Sequence, residues 1–223
     1  MKKLKFNIRK IKIGILYTFL ALGGLWHILG KYQFWMDLLA GPVMAGIGIW
    51  IFFETLPKSK IGFKFIIFSI FVVAASWLVE FIGVKTGMIF GVYEYGPVLK
   101  PKLLGVPVSI GFAWIGTILA SAAIAQSMPF LKYNSVKDFV KAGQIAFFMT
   151  LFDFLMEPAA VYLNYWTWEN VTPPLINYAG WYIFSYIFAY IGLKMGLLKQ
   201  QFPLIARHFY YSQIMYFLLV YIR

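Results

Sequence analysis

Eight acidic residues occur among 223, and three of them, Glu80, Asp153 and Glu157, sit inside long apolar runs. An ionised carboxylate at membrane depth is costly, so such groups are usually functional or paired. Asp153 and Glu157 are four residues apart and share one face of a helix. Two close carboxyls in a low-dielectric medium do not both ionise easily. The pair is therefore expected to keep one proton between its members and to titrate as a unit. A general acid needs such a proton. Pro158 follows directly. It has no amide hydrogen, so the carbonyl of Phe154 is expected to lose its helical partner, to kink the helix and to be free for a water. Four other acids read as ordinary charges. Asp37 suits a helix N-terminus. Glu54 has Lys58 and Lys60 nearby for a local ion pair, and Asp138 and Glu169 fall in loops as solvated charges.

Three readings of the buried acids stay open on this basis: chemistry, a hydrogen-bond cluster joining two helices, and proton transport. The rest of the inventory narrows the chemistry. There is no cysteine, so disulfides, thiolate metal sites and cysteine nucleophiles are excluded. Two histidines, His27 and His208, are too few for a His-rich metal cluster. The sequence has no P-loop, GxGxxG, DxxxD or HxxxH pattern, so nucleotide chemistry, prenyl transfer and di-iron oxygenation lack their parts. What remains is protonatable carboxyls, aromatic rings and water. A carboxyl of this kind can protonate a carbon–carbon double bond. Aromatic faces then stabilise the tertiary carbocation, each by about 2 kcal/mol when desolvated. Capture by water is hydration; loss of another proton is isomerisation or cyclisation. The matching substrate is a polyunsaturated lipid.

The elements that must position these groups are membrane helices. The chain is 61% hydrophobic and 13% charged, with a mean hydropathy of +0.75. Soluble domains carry about 45–50% apolar and about 25% charged residues, so a water-soluble enzyme and a disordered chain are both excluded. A spanning helix needs about 20 mainly apolar residues. Seven segments qualify: 11–29, 36–56, 62–83, 106–126, 141–163, 175–193 and 209–222. Gly23 and Gly24 interrupt the first, and the last is short enough to lie at the interface. Strand alternation is absent, so the expected fold is an all-α polytopic bundle of about seven helices in a single membrane domain, 1–223. No internal repeat points to an inverted-repeat transporter.

The net charge of +12 does not mark nucleic-acid binding, because the basic residues sit between apolar blocks. With the N-terminus inside, segments 1–12, 57–64, 127–141 and 194–208 hold fifteen Lys and Arg, against five on the other side. This predicts an N-in, C-out protein of the cytoplasmic (inner) membrane. The basic start does not read as a cleaved signal peptide. By helical rise, Glu80 lies about 27 Å, Asp153 about 18 Å and Glu157 about 24 Å from the cytoplasmic starts of their helices. Glu80 and Glu157 therefore share the outer third. Two aromatic loops, 84–105 and 164–175, close over that side. They read equally as a headgroup-level belt or as a functional lid or re-entrant piece.

Three blocks carry a family resemblance. The first runs E-F-I-G-V-K-T-G-M-I-F-G-V-Y-E-Y from Glu80 to Tyr95, followed by G-V-P at 105–107 and Trp114. The second is D-F-L-M-E-P-A-A from Asp153, leading into Trp166-Thr167-Trp168. The third is P-L-I-N-Y-A-G-W from Pro174 through Asn177 to Trp181. Over residues 76–182 the chain resembles the membrane carotenoid 1,2-hydratases of the CruF type, the bisanhydrobacterioruberin hydratase-like proteins of carotenoid biosynthesis. Glu157 stands where an Asp is expected before the proline.

The resemblance implies a hydro-lyase that hydrates the terminal 1,2 double bond of an acyclic carotenoid ψ-end, with water as co-substrate and no metal or redox cofactor. Acyclic carotenoid, membrane lipid and other carotenoid-pathway enzymes are the expected partners. Residue roles come from chemistry instead. Asp153 or Glu157 donates the proton. Glu80 or the other member of the pair orients the water. Tyr93, Tyr95, Trp114, Trp166, Trp168 and Trp181 line the slot, and Asn177 bonds the water or a carboxyl. The alternatives are a carotenoid cyclase or isomerase using the same cation, and a small proton-coupled transporter with a polar path through Glu54.

Overall fold

The computed structural model describes residues 2–57 and 61–222, with side chains described from residue 7. Lys58, Lys60 and Arg223, and the side chains of Lys2, Lys3 and Lys5, lie outside the described residues. Seven α-helices form among the described residues: α1 (Lys2–Ile28), α2 (Gln33–Thr55), α3 (Gly62–Thr86), α4 (Ser109–Ser127), α5 (Asp138–Tyr162), α6 (Leu175–Lys194) and α7 (Leu204–Tyr221). Five of them, α1 to α5, are long and apolar enough to cross a membrane. The molecule is a multi-pass helical membrane protein. In α6 the polar phenols of Tyr178, Tyr182, Tyr186 and Tyr190 dilute the apolar run.

Helix α4 is the hub. It packs against α2, α3, α5 and α7, and nearly all its residues from Trp114 to Ala125 are buried. Its composition explains this. Gly116 and a run of alanines leave little side chain between helices, which suits close packing in lipid. A Cβ on Gly116 would lie 3.2 Å from the Cα of Gly48 in α2.

Two expectations about the ends of the bundle are corrected. Gly23 and Gly24 do not interrupt α1, which stays helical through both. They instead let α7 come close: a Cβ on Gly24 would sit 3.0 Å from the Cβ of Leu219. Helix α7 starts at Leu204 and is no surface segment, since Phe209, Tyr210 and Phe217 are buried.

One end gathers the inter-helix loops that are rich in Lys and Arg. There Gln126 donates to the carbonyl of Gln200 at 2.8 Å, and Gln200 donates to that of Thr55 at 3.2 Å. Asp138 pairs with Lys199 at 2.9 Å rather than standing as a lone solvated charge. Glu54 pairs with Lys12 of α1 and accepts from the Trp50 indole at 3.2 Å. The near-neighbour partners expected for it lie outside the described residues.

The other end carries short strands that an all-helical reading did not anticipate. Strand β1 (Tyr93–Tyr95) pairs antiparallel with β4 (Trp166–Trp168), with Tyr93 opposite Trp168 and Tyr95 opposite Trp166. Strands β2 (Lys102–Leu103) and β3 (Val106–Pro107) form a second, smaller pair. The loop after β1 docks tightly. The Gly96 amide donates to the Tyr165 carbonyl at 2.9 Å, and a Cβ on Gly96 would collide with the carbonyl of Asn164. Val98 and Leu99 are then buried among the helices.

Candidate active site

Side chains alternate across a strand, so Y-x-Y and W-x-W each put two aromatics on one face. In the β1–β4 ladder that face points into the bundle. Tyr93, Trp166 and Trp168 are buried, while Glu94 and Thr167 between them are exposed. The two aromatic loops therefore form a lid over this end of the bundle rather than a belt at its rim.

Below this lid, each buried acid is held by a different element. Glu80, on α3, accepts from the Tyr93 hydroxyl at 2.5 Å and the Tyr95 hydroxyl at 2.8 Å on one oxygen. Its other oxygen accepts from the indole of Trp114, on α4, at 3.0 Å. Glu157, on α5, accepts from the indoles of Trp166 and Trp168 at 3.0 and 3.2 Å. Asp153, one turn earlier, accepts from the amide of Asn177, on α6, at 2.8 Å through Oδ2. Its Oδ1 is buried and has no hydrogen-bond partner within the protein. The three carboxyls make no hydrogen bonds to one another.

All three acids line one cavity with about 60 Å³ of free space. Every slot residue named from sequence lines it too: Tyr93, Tyr95, Trp114, Trp166, Trp168, Asn177 and Trp181. Trp114 and Trp181 stack at 4.2 Å between ring centroids. Tyr93 and Trp168 approach to 5.0 Å. The chamber thus has three carboxyls, walls of aromatic faces and room for a few waters. Among the described residues, no group of three or more His, Asp or Glu is arranged to hold a metal ion.

Met44, Tyr165, Gln213 and Phe217 also line the cavity and were missed in the sequence. Gln213 had a signal, as a polar residue in an apolar final helix. Tyr165 stands next to W-T-W, but its inward direction follows only from the chain's turn after α5.

The family model for carotenoid biosynthesis protein matches residues 32–222. The chain belongs to the carotenoid biosynthesis protein family. That match covers six of the seven helices, the lid and all three buried acids. Among curated relatives of this family member is bisanhydrobacterioruberin hydratase of Haloarcula japonica. It is 29% identical over 110 residues, which is 48% of this chain and 37% of the relative. The match spans well under half of that relative's length. No solved structure matches the chain significantly.

Proposed function

We propose that the protein hydrates the terminal double bond of an acyclic carotenoid by acid–base catalysis without a cofactor. One observation carries this reading: Glu80, Asp153 and Glu157 converge on one aromatic-walled cavity, and Asp153 has one oxygen left over. Family membership supports carotenoids as the substrate class, and the hydratase relative supports addition of water.

The roles follow from the bonding. Glu80 is tied by three donors and is the carboxyl least free to act on substrate. It fixes the lid through Tyr93 and Tyr95. Asp153 adds its proton from Oδ1 to carbon 2 of the ψ-end, and the π electrons form that carbon–hydrogen bond. Carbon 1 becomes a tertiary cation, which the faces of Trp168, Tyr93 and the Trp114–Trp181 pair stabilise. Glu157, oriented by two indoles, takes a proton from water as the water oxygen bonds to carbon 1. Asp153 is then a carboxylate and Glu157 a carboxylic acid. They lie one helical turn apart, so a proton passing back between them resets the site. The sum is alkene plus water giving a tertiary alcohol. The protein operates in the cytoplasmic membrane with the N-terminus inside, as the charge asymmetry supports.

The test supplies a long acyclic polyene with ψ-ends to membranes containing the protein and weighs the product. A gain of one water per end supports hydration. A product of unchanged mass with a ring or shifted double bond is cyclisation or isomerisation instead. No product, together with pH-driven solute flux in vesicles, overturns the enzymatic reading in favour of transport.

A further inference from the structure

The carboxyl cavity has a neighbour several times its size. A groove between α1, α2 and α7 encloses about 490 Å³, against about 60 Å³ around the acids. The two spaces meet. Met44, Tyr165, Gln213 and Phe217 line both. We propose that this groove holds the shaft of the linear polyene, entering sideways from the lipid, while only its tip passes those four residues to reach the acids. The inference rests on reading the cavity as the place where a polyene end reacts.

The physics of the ligand requires such a division. A conjugated chain is a stiff rod and cannot coil into a chamber that holds a few waters. Its terminus must enter end-on, and the rest must run along an apolar track continuous with the chamber. The groove has that character. Its lining contains no Lys, Arg, Asp or Glu, so it offers a lipid phosphate no partner charge. On α2 the lining runs from Trp35 to Ile47, about 18 Å along the helix by its rise per residue. The remainder of a long polyene then lies among the acyl chains.

The groove also opens to the lipid. Phe19 and Trp35 on its rim are 50% and 57% exposed, whereas Leu20 in its wall is 6% exposed. At the junction Gln213 donates to the Phe209 carbonyl of its own helix at 3.5 Å. Gln213 and Tyr165 are thus the polar side chains that line both spaces, where the groove gives way to the chamber.

Filling the groove should discriminate by substrate length. Ala40 and Val43 line it on one face of α2 and have no place in the acid cavity. The variants Ala40→Phe and Val43→Phe would be compared with Ile49→Trp, which adds bulk on the same helix outside the groove. Each protein in nanodiscs would receive a long acyclic polyene with ψ-ends and, separately, a short branched alkene with the same trisubstituted terminus. The groove variants are expected to lower kcat/KM for the polyene relative to the short alkene by about tenfold or more, the scale of one blocked side-chain contact. Ile49→Trp is expected to leave that ratio at the wild-type value.

An unchanged ratio in both groove variants would overturn the proposal, as would an equal fall with Ile49→Trp. If wild type hydrates neither compound, the hydration reading fails, and the groove is judged on binding alone. The polyene's induced circular dichroism in nanodiscs should then weaken in the groove variants and persist in Ile49→Trp. Equal signals in all proteins would show only nonspecific partition into lipid and would overturn the groove.

Discussion

At the residue scale, Asp153 and Glu157 differ in what holds them, and so in what they should do when altered. Asp153→Asn keeps the shape and the contact to Asn177 but removes the transferable proton. Turnover of an acyclic carotenoid should fall by about 10²–10⁴, the usual contribution of a positioned acid or base. Glu157→Gln should cost a similar factor, and it additionally sets an amide against the indole hydrogens of Trp166 and Trp168. Product mass analysis on equal amounts of inserted protein measures both. Wild-type yield from the double variant would remove the acid–base mechanism altogether. Trp168→Phe separates two duties of one ring. It keeps an aromatic face but loses the 3.2 Å bond to Glu157. If the face matters most, Phe retains most of the activity that Ala loses; equal losses would assign Trp168 to holding the carboxylate.

The acids themselves were legible in the sequence, because a carboxylate inside an apolar run is conspicuous without any structure. Their partners were legible as residue types but not as pairs. Nothing in the spacing connects Glu80 with Trp114, or Glu157 with Trp168 rather than Tyr93. Those pairings depend on the way the loops fold back over the bundle.

At the element scale, the β1–β4 ladder turns two aromatic loops into a lid. Y-x-Y and W-x-W already have the period of a strand, yet three-residue strands joining segments about seventy positions apart leave no hydrophobic pattern to read. Helices α1 to α5 were readable because each is long and apolar. Helix ends were less so: polar residues at the start of α7 hid its first turn. The lid depends on Gly96, where the chain crosses the carbonyl of Asn164. Gly96→Ala should force that crossing apart at about 1–3 kcal/mol, the usual scale of overpacking. Tyr93→Phe should remove one bond to Glu80 at about 1.5–3 kcal/mol. If lid and chemistry are coupled, both variants lower carotenoid turnover beyond their loss of thermal stability. Thermal melting in detergent beside initial rates in nanodiscs checks this. A rate loss that merely tracks the fraction unfolded would make the ladder a staple and nothing more.

At the scale of the whole molecule, the polar groups are divided between two ends. The three buried acids sit beneath the lid. Glu54 lies at the far end of α2, committed to Lys12 of α1 and to the Trp50 indole. A transporter would need these two sets to communicate. Between them stand the buried apolar side chains of α4, including Ile115, Ile118 and Leu119, and the one carboxyl in the halves of α3 and α5 nearer the Lys- and Arg-rich end is Asp138, which is paired with Lys199. Glu54→Gln therefore tests the architecture. It breaks a partly exposed ion pair, which costs about 0–1 kcal/mol, and leaves the acid cavity untouched. Carotenoid hydration should stay within about twofold of wild type, since that cost is under one factor of ten in any equilibrium. A loss comparable to that of Asp153→Asn would mean that protons reach the cavity through the basic end. The chamber would then be one stop on a transmembrane path rather than a site that recycles its own proton.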